Sequence, residues 1–385
     1  MGNTLADPKN ERGVLLGISD VGKTFLLGAL YQASLLSGAD GFILNFIPRM
    51  GDSNASGIAD LIREMISRIT RGDVNKVKAT TKLKTYLFRI DCQTTFWRDP
   101  LAWFFAKVSR LFGRGTESRV GLFGWPNPGR ALEFEILDSP GGTQFADINP
   151  ETDPQRYEEQ QKIIKSLGEA NFVIVCVDAS APQLSDFTGN LPYLLAKAIA
   201  DDRRLKPARL LLLLTKIDVL AQQLIEGVSS LRSTLKGTTR GYPALDVIGD
   251  LSALQIATMI DPLDTARSVL GQAPLSQLRR SLDQHSEMAI GICSSTGFHE
   301  NGTVFWSGAA PRLEPGVNPD DAYKTWTPFG VQEIIQFLTR AHCGSTIQKY
   351  TWRDDLEASR RRGIPLELFK AAEANRNPIS KGEFI

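Results

Sequence analysis

Short apolar runs alternate along this chain with segments in which apolar residues recur at helical spacing. Runs at 12–17, 171–180 and 208–220 are continuous enough to be buried strands, and alternation within 131–142 predicts a further strand. Helical spacing follows the first run and ends near Gly38, and another periodic helix is predicted over 219–235. Strands that are apolar on both faces and alternate with helices indicate an α/β fold, with a mostly parallel central sheet and helices on both faces.

The turn after the first predicted strand carries the strongest motif. GISDVGKT at 17–24 matches the pattern G-x-x-x-x-G-K-[ST], with strand, loop and helix in the required order. The two glycines allow several N–H groups to point at phosphate oxygens, and the helix N-terminus adds partial positive charge. The residues expected around the phosphates are Gly17, Ser19, Asp20, Val21, Gly22, Lys23, Thr24 and Phe25. Lys23 is expected to reach the β- and γ-phosphates and Thr24 to bind Mg²⁺.

An acidic residue for the metal is predicted at the end of the 131–142 strand. Asp138 and Gly141 form a D-x-x-G sequence, in which the carboxylate anchors Mg²⁺ and the glycine N–H approaches the γ-phosphate. Residues 138–141 also suit an ordinary β-turn, so this motif indicates a metal site only in combination with the phosphate-loop motif.

Two later motifs are candidates for recognising the base of a bound nucleotide. The run at 208–220 contains Thr215-Lys216-Ile217-Asp218, which matches the guanine-reading pattern [NT]-K-x-D. Asp218 can accept hydrogen bonds from guanine N1–H and the 2-amino group, a donor pair that adenine lacks, while the Lys216 stem lies along the ring. A strand-like run at 287–297 ends in Ser294, Ser295 and Thr296.

Together these motifs resemble the P-loop GTPases of the Ras-like and translation-factor class, over about residues 12–342. The resemblance implies a P-loop NTPase fold, GTP or GDP with Mg²⁺ as ligands, and GTP hydrolysis as a molecular switch. It also implies a loop at Ser294–Ser295 in which the Ser295 N–H contacts guanine O6. KATTKLKTYLFRI (78–90) and WTPFGVQEIIQFL (326–338) are most similar to the bacterial double-GTPase (DO-GTPase) family.

The family also needs a switch threonine and a residue that orients water. The resemblance assigns the threonine role, closing over the γ-phosphate and Mg²⁺, to Thr81, with Thr80 as the alternative. Gly142 stands where many relatives carry the water-orienting glutamine, and Gln144 lies two residues further on. Low intrinsic hydrolysis is therefore expected, with an arginine from a partner or neighbouring subunit raising the rate. By analogy, Asp20 is a candidate for holding a monovalent cation.

The length of 385 residues exceeds what one ordinary domain needs. Because the motifs extend from 17 to 296, the excess is interpreted as insertions within one GTPase domain, 1–342, at about 41–80, 93–125 and 225–285. The first includes a helical stretch at 57–71, and the third a helix near 275–284. Residues 343–385 are predicted to form a C-terminal helix, at the arginine run 360–362, and a tail.

Amino-acid composition limits the kinds of partner and the location that are expected for the protein. Lys+Arg 44 against Asp+Glu 43 gives a net charge of +1, so no nucleic-acid partner is expected. Four dispersed cysteines and three histidines form no zinc or disulfide pattern, and no signal peptide or apolar run of membrane-spanning length is seen. A cytoplasmic protein is therefore expected. Eight of its 32 aromatic residues lie in 93–125, which predicts either a small added core or a surface for a protein partner or membrane interface.

Two other functions remain open. One is a protein that holds GTP for an interaction without hydrolysing it, which Gly142 favours. The other is a P-loop ATPase, which the guanine-reading residues at 215–218 argue against.

Overall fold

Parallel strands form the centre of the protein. The computed structural model describes residues 11–17, 22–36, 42–46, 84–92, 131–138, 150–180, 195–196, 199–200, 207–234, 251–283, 285–306, 313, 315–318, 327–339 and 345–351. Within them the strands are β1 (Glu11–Leu16), β2 (Phe42–Phe46), β3 (Lys84–Cys92), β4 (Ala131–Asp138), β5 (Phe172–Asp178), β6 (Arg209–Thr215), β7 (Glu287–Ile292), β8 (Ser294–Phe298), β9 (Thr327–Phe329) and β10 (Ile347–Lys349).

Eight of these strands make one sheet in the order β10-β7-β6-β5-β1-β4-β3-β2. Strands β4, β1, β5, β6 and β7 run parallel, whereas β2, β3 and β10 pair antiparallel. Strands β8 and β9 form a separate antiparallel pair. After β1 the chain forms β2, β3 and β4 on one side of β1 and then β5, β6 and β7 on the other side. The carboxyl ends of strands at such a reversal are where open α/β sheets bind ligands.

The helices are α1 (Lys23–Leu36), α2 (Pro154–Glu169), α3 (Ile217–Thr234), α4 (Ala253–Met259), α5 (Pro262–Leu270), α6 (Gln272–Ser281) and α7 (Val331–Thr339). Side-chain caps explain several of their starts. Asp153 accepts the Arg156 N–H before α2, and Asp261 accepts the Asp264 N–H before α5. Each of these two helices opens with proline, which has no N–H to satisfy at that position.

The sheet buries an apolar core on each face. Alternate residues of β5 show this division, because Val173 and Val175 join the cluster beneath α2–α6, whereas Ile174 and Cys176 join the cluster beneath α1 and α7. Every residue of β6 is buried. The continuous apolar runs of the sequence are thus explained by strands covered on both sides.

A buried arginine fastens α7 to the sheet. Arg209, the first residue of β6, donates from Nη1 to the carbonyl oxygens of Phe337 (2.8 Å) and Leu338 (2.9 Å) at the end of α7. Its guanidinium carbon lies 5.6 Å from the ring centre of Phe172 and 5.8 Å from that of Phe337. Carbonyl groups at a helix C-terminus and the faces of aromatic rings both attract a cation. These contacts offset the free-energy cost of burying the guanidinium charge.

The structure departs from the sequence predictions in three places. Residues 347–349 form strand β10 within the segment expected to be only helix and tail, because buried Ile347 packs beside Gly291 of β7. Residues 294–296, expected as a short loop, belong to strand β8, which extends to Phe298. The insertion predicted at 225–285 includes α4, α5 and α6, where the sequence indicated only one helix, near 275–284.

Strand order and the loop between β1 and α1 together define the fold. The predicted α/β class with a mostly parallel sheet, of the P-loop NTPase type, is confirmed. Within the described ranges, every helix is too short or too polar to cross a bilayer. The predicted helix at 57–71, the aromatic segment 93–125 and the arginine run at 360–362 lie outside the described residues.

Candidate functional site

The end of β1 and the start of α1 carry the described residues of the predicted phosphate-binding motif. Gly17 is buried immediately after β1, and Gly22 takes φ +86°, a conformation that few residues other than glycine adopt. The Gly22 carbonyl accepts the Leu26 N–H at 2.8 Å, so the helix begins directly after this glycine. Residues 23–26, the first turn, include no acidic side chain to compete for the helix dipole.

Lys23 is a buried cation at this helix N-terminus. Its side chain is only 7% exposed, and Nζ donates to the Gly17 carbonyl oxygen at 2.7 Å. The ammonium therefore joins the start of α1 to the first glycine of the motif. A buried positive charge at a helix N-terminus is well placed to gain from a bound anion. Phe25 packs on the core beneath α1.

The metal-binding candidates lie at the same edge of the sheet. Asp138 is the last residue of β4, and its Cα is in register with that of Leu15 in the parallel neighbour β1. Thr24 is the second residue of α1. The backbone therefore places one carboxylate-bearing and one hydroxyl-bearing residue beside the phosphate loop.

The predicted base-reading residues follow β6, two strands from β1. The Thr215 hydroxyl donates to the Val177 carbonyl at 3.1 Å and anchors the end of β6 to β5. Lys216 takes φ +60° and is the one non-glycine with positive φ among the described residues. This strained conformation turns the chain from the strand directly into α3. Neighbouring strands lie about 4.8 Å apart, so β6 ends about 10 Å from β1.

Asp218 is fully buried, with 0% exposure, at the start of α3. Its Oδ2 accepts the Thr296 hydroxyl at 2.7 Å, whereas Oδ1 has no hydrogen-bond partner among the described residues. The nearby Ser294 hydroxyl accepts the Gly297 N–H at 2.7 Å. Burial raises the pKa of Asp218, and the neighbouring hydroxyls of Ser294 and Thr296 lower it in part.

Strand β8 is held tightly against its surroundings. Ser294 and Ser295 are both buried, at 0% and 8% exposure. Gly297 (φ +68°) lies so close to β9 that a Cβ there would be 1.8 Å from the Thr327 carbonyl oxygen. Gly330 (φ +70°), between β9 and α7, approaches the Ile292 carbonyl in the same way. Both close approaches require glycine and fix the residues that face Asp218.

The sequence prediction missed Asp178, Ser180 and the role of Thr296. Asp178 ends β5, and its Oδ2 lies 2.6 Å from Lys216 Nζ. Its Oδ1 accepts both the backbone N–H (2.8 Å) and the hydroxyl (2.6 Å) of Ser180. The only signal in the sequence was its position, since Asp178 is the acidic residue that ends the apolar run 172–178.

The structure thus brings the described site candidates to the carboxyl ends of β1, β4, β6 and β7. Six other candidates lie outside the described residues: Ser19, Asp20, Val21, Thr81, Gly141 and Gln144. Among the described residues, no three His, Cys, Asp or Glu side chains are grouped as a metal cluster. A phosphate-loop Mg²⁺ site needs no such cluster, because phosphate and water oxygens supply most of its ligands.

No model of a known protein family matches the chain, and neither does any curated protein. Among solved structures it is similar to the signal recognition particle receptor SRb-GTP/SRX complex from Chaetomium thermophilum, with 13% identity, coverage of 59% of this chain and 82% of that chain, and a TM-score of 0.26. It is also similar to the S. cerevisiae Ski7 GTPase-like domain bound to GDP and inorganic phosphate, with 12% identity, coverage of 64% of this chain and 42% of that chain, and a TM-score of 0.24.

An oligomerised bacterial dynamin pair is also similar, with 14% identity, coverage of 96% of this chain and 41% of that chain, and a TM-score of 0.30. The chain spans less than half of the length of the Ski7 and dynamin chains.

Proposed function

We propose that this protein binds GTP and GDP with Mg²⁺, hydrolyses GTP slowly, and uses the difference between the two nucleotides to signal to a protein partner. The proposal is carried by one observation, the buried Asp218 oxygen that lacks a hydrogen-bond partner among the described residues. Such an oxygen costs about 1–3 kcal/mol unless a donor reaches it. Guanine offers N1–H and the 2-amino group as a donor pair, whereas adenine presents no donor at these positions.

The phosphate side of the proposal depends on Lys23 and the α1 N-terminus. The Lys23 ammonium is already buried beside the Gly17 carbonyl at the start of α1, so a β- or γ-phosphate would gain a charge-assisted hydrogen bond from it. At Gly22 no heavy atom of the described residues lies within 4 Å of the position that a Cβ would take, so there is open space beside the start of α1. Ser19, Asp20 and Val21 are proposed to complete this loop.

The residues present are chemically suited to Mg²⁺. A hydroxyl at Thr24 and a carboxylate at Asp138 are hard oxygen ligands at one sheet edge, as Mg²⁺ prefers. Thr81, or Thr80, is proposed to complete the site from the first switch. When bound, the ion would neutralise charge that develops on the β- and γ-phosphates.

Slow hydrolysis is proposed because Gly142 cannot orient a water molecule through a side chain. Gln144 and the Gly141 N–H remain the residues of this chain proposed to act near the γ-phosphate. The same glycine supports the alternative of a GTP-binding interaction protein that does not hydrolyse its nucleotide. An ATP-specific site is disfavoured by Asp218. We also propose that the protein is related to the double-GTPase family and is located in the cytoplasm. Residues 93–125 are proposed to contact its partner.

Base specificity tests the nucleotide assignment. A fluorescent GDP analogue bound to the full chain should be displaced by GDP and not by ADP. Asp218→Asn should lose guanine binding and gain xanthine nucleotides, because its amide donates to the xanthine 2-oxo group that a carboxylate repels. Equal competition by ADP would support the ATPase alternative, and no binding of any nucleotide would refute the proposal.

Single-turnover hydrolysis of GTP separates the remaining alternatives. The wild type should hydrolyse GTP slowly and Lys23→Ala should not, whereas identical rates would mean that the site is not catalytic. Turnover at tens per minute without a partner would contradict slow hydrolysis. Pull-downs in the presence of GDP or a GTP analogue then test the switch, and indistinguishable partner lists would count against it.

A further inference from the structure

Three side chains form a chain of contacts between the ends of β5 and β6. Lys216 Nζ lies 2.6 Å from Asp178 Oδ2, and Asp178 Oδ1 accepts the Ser180 hydroxyl at 2.6 Å and the Ser180 N–H at 2.8 Å. The side chain of Asp178 is 14% exposed and that of Lys216 is 34% exposed. This pair is therefore more shielded than an ordinary surface ion pair and screened less by salt.

Asp178 is itself held from two directions. The strand pairing puts its Cα opposite that of Thr215, and the Ala179 N–H donates to the Thr215 carbonyl at 3.0 Å. The two bonds from Ser180 then fix the orientation of the carboxylate. A rigid acceptor thus stands beside a long and otherwise adaptable lysine side chain.

Lys216 needs such an anchor more than most lysines do. Its backbone is in the left-handed region, which sets the direction in which the side chain leaves the loop. Its four-carbon stem carries about 2 kcal/mol of rotamer entropy, which is lost when the stem is ordered. An ion pair that orders the stem before a ligand arrives removes that cost from binding.

We infer that Asp178 is a positioning residue for base recognition: it holds the Lys216 ammonium so that the lysine stem forms a pre-ordered wall for the guanine ring. This inference rests on the proposed function and adds to it a residue outside the guanine-reading motif. Ser180 supports this arrangement indirectly, because its two hydrogen bonds fix the orientation of the Asp178 carboxylate. Asp178 is assigned no contact with the nucleotide.

Binding of GDP and of inorganic pyrophosphate to the full chain tests this role. Asp178→Asn should raise the Kd for GDP about tenfold, the loss expected for one charge-assisted hydrogen bond. The Kd for pyrophosphate should stay unchanged, since that ligand has no base. Lys216→Met keeps an apolar stem without the charge, and the double variant should bind GDP no more weakly than Lys216→Met alone.

A matched control is Asp264→Asn, which breaks the partly buried Arg267–Asp264 pair (3.2 Å) in α5 and should leave both affinities unchanged. Ser180→Ala offers a milder second variant and should weaken GDP binding about threefold, less than a full charge-assisted bond.

Additive losses from Asp178→Asn and Lys216→Met, or equal weakening of GDP and pyrophosphate, would overturn the positioning role. In either case wild-type GDP binding would leave the proposed function intact. A wild type that does not bind GDP would refute both.

Discussion

Replacing Gly297 by alanine separates two costs that usually occur together. At φ +68° an alanine is strained in any surroundings, by about 1–2 kcal/mol. Here its Cβ would also lie 1.8 Å from the Thr327 carbonyl oxygen and 2.9 Å from the Pro328 Cα, against a limit of 3.0 Å that real Cβ atoms essentially never cross. Both neighbours are backbone atoms of β9, so no side-chain rotation can relieve the contact.

The second cost is therefore an overpacking penalty of a further ~1–3 kcal/mol. Gly316 provides the control, because it has φ +89° and no heavy atom of the described residues within 4 Å of its virtual Cβ. Gly316→Ala should carry only the backbone cost. The difference between the two variants isolates the contact between β8 and β9.

Urea unfolding measures that difference, and GDP titration measures its effect on the site. Because Thr296 precedes Gly297 and donates to Asp218, separating β8 from β9 should weaken GDP binding in Gly297→Ala and not in Gly316→Ala. Equal destabilisation by the two variants would refute the steric reasoning. Normal GDP affinity in a destabilised Gly297→Ala would show that β8 does not position Asp218.

Three further changes test the site and the core. Burial raises the pKa of Asp218 above 3.8, so its contribution to the stability of the nucleotide-free protein is present below that value and is lost as pH rises through the folded pKa. Since guanine needs the ionised carboxylate, GDP affinity should fall as pH is lowered through the same pKa, while pyrophosphate affinity measured in parallel does not follow it. Lys23→Ala should weaken both ligands at least about 100-fold, the loss of a buried charge-assisted contact to phosphate, and calorimetry showing unchanged affinity would exclude the loop as the site. Gly13→Ala would place a Cβ 2.0 Å from the buried Phe172 ring and should cost roughly 1–3 kcal/mol in urea unfolding, with partial recovery in the pair Gly13→Ala with Phe172→Leu.

The parts of the fold that sequence could predict are those in which one local pattern decides the outcome. The apolar runs that become β1, β5 and β6 are buried on both faces. A parallel strand in the middle of a sheet is covered on both faces and therefore consists almost entirely of apolar residues. The glycine at 22 has positive φ, as the motif requires. These features depend on neighbours within a few residues.

Other features depend on partners far away in the chain. Residues 347–349 become a strand because β7 presents a free edge and Gly291 leaves space for Ile347, information that no window around 347 contains. Strand β8 likewise exists only because β9, about thirty residues later, pairs with it. Asp178 was missed because its importance lies in a lysine 38 residues away, and an aspartate ending a strand has no sequence signature of its own.

Helix α7 is attached to two parts of the proposed base site. Its first residue follows Gly330 and β9, which holds β8 and thus the Thr296 hydroxyl. Its last carbonyls are bound by Arg209, which begins the strand that ends next to Lys216 and Asp218. Donor and acceptor of the Thr296–Asp218 bond are therefore each tied to an opposite end of one nine-residue helix. The helix serves as a fixed spacer: one residue more or fewer would rotate its ends by about 100° relative to each other, and only one of the two attachments could then be kept.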